Sequence, residues 1–458
     1  MSLTKLIENI FRRYLPSPFT IAVLLTLITI VLALVFTENN SNSNHLFTIL
    51  SYWENGIWNT NLLVFAYQMM LILVLGHVLV LSKPMERLIL AITSLVKNTS
   101  NAALLVALTT MLVSFFNWGL GLIFGAILAR KVGEYAQSNA ISINYPLIGA
   151  SGYVGLMVWH GGISGSAPIK VSETGHLQEL LGNTVSLDVI SQLPLSISTA
   201  STVFSTSNLV IFFVVLFSIS TLVYFLGKKS TPSKIELNQY QFKSINKEDL
   251  IGAEKLDHSK VFSVLFGLLV LAVFLVRYLP SIQTLNITPN MLNFFMLGLA
   301  ILLHGSFGSF LHAVKEAIAD VAGILIQFPL YFGIMGIMGS SGMINQISDF
   351  FVSISTATTL PIFTFFSAGL VNVFVPSGGG QWAIQGPLVL QSALALDVPL
   401  PKAIMALAYG DQITNMLQPF WALPLLGITK LKAKEILPYT LLFMLVGSVI
   451  YIAGLLIF

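Results

Sequence analysis

Apolar runs near the length that crosses a bilayer, about 20 residues, alternate with short polar connections along almost the whole chain. Runs suited to one crossing each lie at 18–37, 61–82, 144–161, 207–227, 260–280, 291–307, 320–338, 402–428 and 437–458. Two further stretches, 101–131 and 357–396, are equally apolar but interrupted near their centres. The first is broken at Asn117-Trp118-Gly119 and the second at Pro376-Ser377-Gly378-Gly379-Gly380-Gln381-Trp382. Lipid offers no partner for backbone groups freed at such a break. The pattern therefore predicts irregular chain at membrane depth, lining a cavity or buried in protein. Many secondary transporters build a substrate site in this way.

The distribution of Lys and Arg orients the runs, because cytoplasmic connections carry the positive excess. Lys5, Arg12 and Arg13 precede the first run, so the N-terminus reads as cytoplasmic. Residues 1–14 read as an interfacial amphipathic helix, without the cleavage pattern of a signal peptide. Segment 38–60 holds Glu38 and Glu54 and no Lys or Arg, and reads as outside, with Trp53 and Trp58 as interfacial anchors. Lys83, Arg87 and Lys97 before stretch 101–131, and Arg130 and Lys131 at its end, place both its ends inside. Segment 162–206 is net acidic and reads as outside, whereas the Lys-rich segment 228–260 reads as inside. In the second half the orientation inverts: Asp349 and Asp397 flank stretch 357–396 on the outer side, and Lys430, Lys432 and Lys434 return the chain to the inside. The expectation is nine crossings plus two re-entrant helical hairpins that enter from opposite faces.

The two halves also echo each other at a near-constant offset. Gln68 pairs with Gln327, Asn117 with Asn372, Gly152-Tyr153 with Ala408-Tyr409, and Pro168 with Pro424. Combined with the opposite orientation, this reads as an inverted-topology repeat. The expected division is a first repeat at 1–227, a cytoplasmic linker at 228–260 and a second repeat at 261–458. Hairpins fall at about 101–131 and 357–396, and broken helices at about 144–168 and 402–428. The fold class is an all-α polytopic membrane protein.

Composition narrows the function. Only 9% of the 458 residues are charged, against about 25% in a soluble protein. The net charge of +3 reports topology, not nucleic-acid binding, and the lack of cysteine removes disulfides and thiol chemistry. No phosphate-binding Gly-Lys-Ser/Thr sequence, metalloprotease motif or nucleophile elbow is present. No cofactor is expected.

Four broken regions are expected to converge. They offer Asn117, Trp118 and Gly119; Gly161, Gly162 and Ser164; Asn372, Ser377, Gly378, Gly379, Gly380 and Gln381; and Asp411, Gln412, Asn415 and Gln418. Half-helix N-termini suit an anion, and half-helix C-termini and unwound carbonyls suit a small cation. No Lys or Arg lies well inside these regions. A carboxylate would be held by dipoles and amides, which favours a small monocarboxylate over a large or multiply charged anion. Asp411 is the one acidic residue in the interior of an apolar run, and intramembrane carboxylates are expensive to keep. It would hold Na⁺ or carry a proton as coupling ion, with His160 as a candidate relay; a structural role in bracing the break is the plain alternative.

These residues resemble the short-chain fatty acid transporter family. The resemblance rests on Pro-Ser-Gly-Gly-Gly-Gln-Trp at 376–382, Ala-Tyr-Gly-Asp-Gln at 408–412, Gln-Pro-Phe-Trp-Ala-Leu-Pro at 418–424, Asn-Trp-Gly-Leu-Gly at 117–121 and Gly-Gly-Ile-Ser-Gly-Ser at 161–166. Gln381 and His160 depart from the family pattern, which often has His and Gly at these two places. The resemblance implies a secondary active transporter of the ion transporter superfamily, carrying butyrate, acetoacetate and similar acids across the bacterial inner membrane. It implies paired hairpins and an elevator-like movement, with a homodimer left open. An anion channel and a membrane-embedded enzyme using Asp411 and His160 are the competing classes.

Overall fold

The computed structural model describes residues 16–38, 44–181, 193–233, 237, 252–283 and 288–458. The amphipathic helix expected at 1–14 and most of the linker expected at 228–260 lie outside them. The fold is all-α and polytopic, with no strand among the described residues. Among the described residues seven helices are long and apolar enough to cross a bilayer: Pro18–Phe36, Thr60–Val80, Thr99–Phe116, Thr206–Lys229, Lys260–Pro280, Ala322–Ser340 and Ala433–Ile457. Pro289–His304 is apolar but shorter.

Two expected crossings are discontinuous. The run at 144–161 is helical only over Tyr145–Ser151, continues as a 3-10 turn over Val154–Met157 and is irregular up to Gly165. The run at 402–428 splits into Leu400–Thr414, a 3-10 turn at Asn415–Leu417, and Pro419–Thr429. The interrupted stretches become helix pairs. Thr99–Phe116 and Trp118–Ser138 pack on each other and meet at Asn117, and Leu360–Phe374 and Gly378–Ala395 flank the residues around Pro376. Thr99–Phe116 alone rises about 27 Å, close to the hydrocarbon thickness of about 30 Å.

The segment read as an outer loop contains a helix, His45–Ile57, capped by the Asn44 side chain on Leu46 N–H at 2.9 Å. Its polar residues hide a close crossing with Ala322–Ser340. A Cβ on Gly56 would fall 2.4 Å from Phe332 O, and one on Gly336 would fall 2.4 Å from Tyr52 O. Trp53 packs over Gly333 there instead of standing free as an anchor, while Trp58 is 66% exposed. Small residues let helix backbones approach where lipid gives no hydrophobic drive. The same device sets each broken helix on its helix pair. A Cβ on Gly125 would lie 2.1 Å from Gly152 O, and one on Gly410 would lie 2.1 Å from Phe365 O.

The helix after the first break runs on to Ser138, which brings a second carboxylate into the protein. Glu134 is bound by Arg130 at 2.7 Å and Lys131 at 2.6 Å. Arg130 Nη1 also donates to Ile428 O at 2.8 Å, and Tyr145 Oη to Thr429 O at 2.9 Å. Together they supply donors for the last carbonyls of Pro419–Thr429, which have no partner within their own helix.

Buried apolar side chains form two clusters. The larger runs through the first helix pair, the first broken helix, Ala322–Ser340 and the C-terminal helix. The smaller joins Ala167, Val171, Leu177, Leu181, Leu193 and Ile197 to side chains of 360–407. Residues 166–181 and 193–197, read from sequence as part of an outer segment, thus contribute to a core. Gly56→Ala is expected to lower stability by about 1–3 kcal/mol through overpacking, whereas Gly339→Ala, whose Cβ meets only Ile384 at 3.6 Å, leaves it unchanged. Thermal unfolding of the purified variants distinguishes the two.

Candidate functional site

At the first break, one residue leaves helical geometry. Asn117 is extended (φ −151°), ends one helix and caps the next, its Oδ1 accepting from Leu120 N–H at 2.9 Å. Its neighbours are stitched to the first broken helix: Trp118 N–H donates to Ser164 Oγ at 2.9 Å and Ile163 N–H to Phe115 O at 2.8 Å. Gly162 is required there, since a Cβ would lie 2.3 Å from Phe115 O. At the second break Ser377 Oγ accepts from Gly380 N–H at 3.2 Å. A Cβ on Gly378 would meet Trp159 Cη2 at 2.7 Å and His160 Cε1 at 2.9 Å. A Cβ on Gly379 would meet only Ser166 Oγ at 3.8 Å, so this glycine faces open space.

Residues of both breaks line one cavity of about 780 Å³, including Trp118, Ser164, Ser166, Gly379 and Trp382. The helices Trp118–Ser138 and Gly378–Ala395 both begin at this cavity. Helix N-termini carry unsatisfied N–H groups and a partial positive charge of roughly half a unit each. Lys170 lies at the cavity margin, half exposed and already paired with Glu173 at 2.9 Å.

Behind the cavity wall, polar side chains of the two halves serve each other's breaks. Gln412 Oε1 accepts from His160 N–H at 2.8 Å and Gly161 N–H at 3.1 Å. Tyr153 Oη lies 2.9 Å from Asn415 O and 3.1 Å from Gln418 O, and Tyr451 Oη donates to Met157 O at 2.6 Å. Asn372 Nδ2 lies 2.6 Å from Asp411 O and 2.8 Å from Asn415 Oδ1, and Gln418 Nε2 donates to Asn372 O. Gln381 points into the second helix pair, donating to Ala368 O at 2.9 Å and Gln385 Oε1 at 2.7 Å.

Asp411 and His160 are fully buried and directly paired, Oδ2 to Nδ1 at 2.5 Å. Ala167 N–H donates to His160 Nε2 at 3.1 Å. Nε2 therefore presents its lone pair, and the ring proton sits on Nδ1, facing the carboxylate. Among the described residues Asp411 makes no salt bridge to Lys or Arg, and its Oδ1 has no hydrogen-bond partner.

The candidate residues thus fall into two groups. Trp118, Ser164 and Gly379 line the cavity; Asn117, Asn372, Gln381, Asp411, Gln412, Asn415 and Gln418 lie buried behind it. Gly119 faces Leu292 and Ile72, and Gly161 faces Asn208 and Tyr409, both as packing positions. Sequence reasoning did not single out Asn208, whose Nδ2 donates to Gly161 O at 2.8 Å and whose Oδ1 accepts from Tyr409 Oη at 2.8 Å. A buried Asn in the first turn of an apolar helix was the available signal. It also passed over His176, a cavity residue bonded to Trp382.

The sequence model of the short chain fatty acid transporter family matches residues 1–458. The chain belongs to that family. A relative from Escherichia coli K12 is 34% identical over 100% of this chain and 99% of its own length. One from Haemophilus influenzae is 34% identical over 97% of this chain and 96% of its own. The names of both include the words short-chain fatty acid transporter. Similar solved structures include the YdaH transporter of Alcanivorax borkumensis (TM-score 0.41, 16% identity, 95% of this chain and 97% of that one) and MtrF of Neisseria gonorrhoeae (0.43, 13%, 98% and 97%). This family member is a multi-pass membrane transporter and not an enzyme.

The glycines at the second break make separable predictions. Gly378→Ala, which drives a methyl into Trp159 and His160, is expected to cost about 1–3 kcal/mol of stability. Gly379→Ala is expected to unfold with the wild-type midpoint, and calorimetry of the two purified variants checks both.

Proposed function

We propose that the protein accumulates short-chain monocarboxylates, butyrate and acetoacetate among them, across the bacterial inner membrane by cation symport. The observation that carries this reading is the single cavity onto which two helix N-termini, one from each half, open together. A carboxylate seated between them replaces its water with the N–H group of Gly379, which faces the cavity, and with hydroxyl donors such as Ser166. The indole rings of Trp118 and Trp382 take the short alkyl chain.

The buried His160–Asp411 pair supports coupling to a cation. A carboxylate without a cationic partner costs several kcal/mol in a low-dielectric interior, and a bound H⁺ or Na⁺ on the open side of Asp411 offsets that cost. The pair touches the second break, because Gly378 packs on the His160 ring. Cation loading is thereby joined to the helix terminus that receives the anion. The two helix pairs act as re-entrant hairpins in inverted repeats, with the N-terminus in the cytoplasm. A plain anion channel would leave the buried acidic pair without a role.

Proteoliposomes given separate Na⁺ and proton gradients test the reading. One of the two gradients is expected to drive labelled butyrate above its external concentration. Asp411→Asn is expected to reduce that accumulation at least about tenfold while the purified protein stays folded, as an intramembrane carboxylate with a coupling role requires. Full accumulation by Asp411→Asn under both gradients would remove Asp411 from the coupling step.

A further inference from the structure

A titratable ring from the outer segment is fastened to a wall of the cavity. Trp382 is 2% exposed, and its ring is pressed on Gly386, where a Cβ would lie 2.9 Å from Trp382 Cε3. Its Nε1–H donates to His176 Nε2 at 3.0 Å. The two rings lie 30° from parallel with centroids 6.4 Å apart, and both residues line the same cavity. A tryptophan N–H is a donor only, so this bond exists only while Nε2 keeps its lone pair and the imidazole is neutral. His176 begins the short helix His176–Leu181, whose Leu177 and Leu181 enter the second core beside Trp382. The bond is a polar tie from this helix to Gly378–Ala395, in a segment also held by Ala167 N–H on His160 Nε2, by backbone bonds from Gly175 to Leu195 and from Ile197 to Val171, and by apolar packing.

Among the described residues the charges near His176 are few. Lys170 and Glu173 come from the preceding turn and Glu179 from its own helix, while Gly378–Ala395 and segment 193–197 bring no titratable group. Burial, then Lys170, holds the imidazole below its ordinary value near 6.5.

We propose that His176 is a positioning residue of the transport cycle: its neutral ring latches segment 166–181 onto Trp382 and fixes the outer wall of the cavity, and protonation releases that wall. The proposal rests on the transport reading above. Its sign follows from linkage. The latched form binds a proton less readily than the released form, so the latch is at full strength above about 6.5 and weakens as the pH falls below it. The titration belongs to the outer vestibule and is separate from the buried Asp411 pair.

Two measurements on the full-length protein test it. In nanodiscs, tryptophan fluorescence is expected to change with a midpoint below about 6.5, because an imidazolium against indole quenches it. That transition is expected to vanish in both Trp382→Phe and His176→Gln. Gln keeps an acceptor oxygen where Nε2 stands but does not titrate. In proteoliposomes with butyrate supplied at the outer-segment side, lowering that side from about pH 7.5 to about 5.5 is expected to raise the wild-type KM roughly three- to tenfold, the effect of one hydrogen bond. His176→Gln is expected to keep the low KM at both values, and His176→Phe the high KM at both.

A fluorescence transition that survives in Trp382→Phe and His176→Gln overturns the latch, as does a wild-type KM profile in His176→Gln. Absence of butyrate uptake by the wild type at every pH would instead refute the cargo reading. In that case the fluorescence titration alone decides the latch, since it needs no substrate.

Discussion

Backbone groups freed by a helix break inside a bilayer must find partners within the protein, and this constraint organises the whole molecule. Among the described residues the chain breaks four times, and at each of these places a partner comes from another broken region. Phe115 O takes Ile163 N–H, Gln412 takes the N–H groups of His160 and Gly161, and Tyr153 reaches the carbonyls of Asn415 and Gln418. At the fourth, Gln418 Nε2 donates to Asn372 O in the last turn before the break, Ser377 caps Gly380 locally, and the bare glycine beside it packs on His160. None of these breaks is stable alone. The irregular regions therefore have to converge, and their convergence leaves a cavity between two helix starts.

The convergence was legible in the sequence because breaks need rare residues. A triple glycine after proline, an asparagine flanked by aromatic residues, and one acid in an apolar run have no place in an unbroken helix facing lipid. The buried placement of Asn117, Asn372 and Asp411 agrees with that reading. What sequence could not show is which residues touch the cavity and which brace it from behind. Gln381 and Trp382 are neighbours in one polar motif, yet Gln381 turns into the helix pair while Trp382 forms wall. A motif identifies the turn, but side-chain direction is decided by helical phase and by what packs opposite.

The elements that sequence missed share a physical cause. His45–Ile57 carries Ser51, Glu54 and Asn55 among its apolar residues and, at 13 residues, is too short for a crossing; its place depends on Gly56 meeting two glycines more than 270 residues away. Ser166–Lys170 and His176–Leu181 are too short to show a helical period. They are stable because Ala167, Val171 and Leu177 fill a core supplied by 360–407. Contacts of that range leave no local trace. For the same reason His176 read as one more polar residue in an acidic outer segment.

Charge accounting at the cavity argues for the size of the cargo. Each of the two helix starts contributes roughly half a positive unit, so together they balance about one carboxylate. Lys170, the nearest formal cation at the margin, is neutralised by Glu173. The Asp411 pair points the same way. In the proposed symport, one cation taken up at Asp411 and one monocarboxylate would cross together as a neutral load. For a carrier that must pass its cargo through a low-dielectric interior, that neutrality is the cheapest electrostatic condition available.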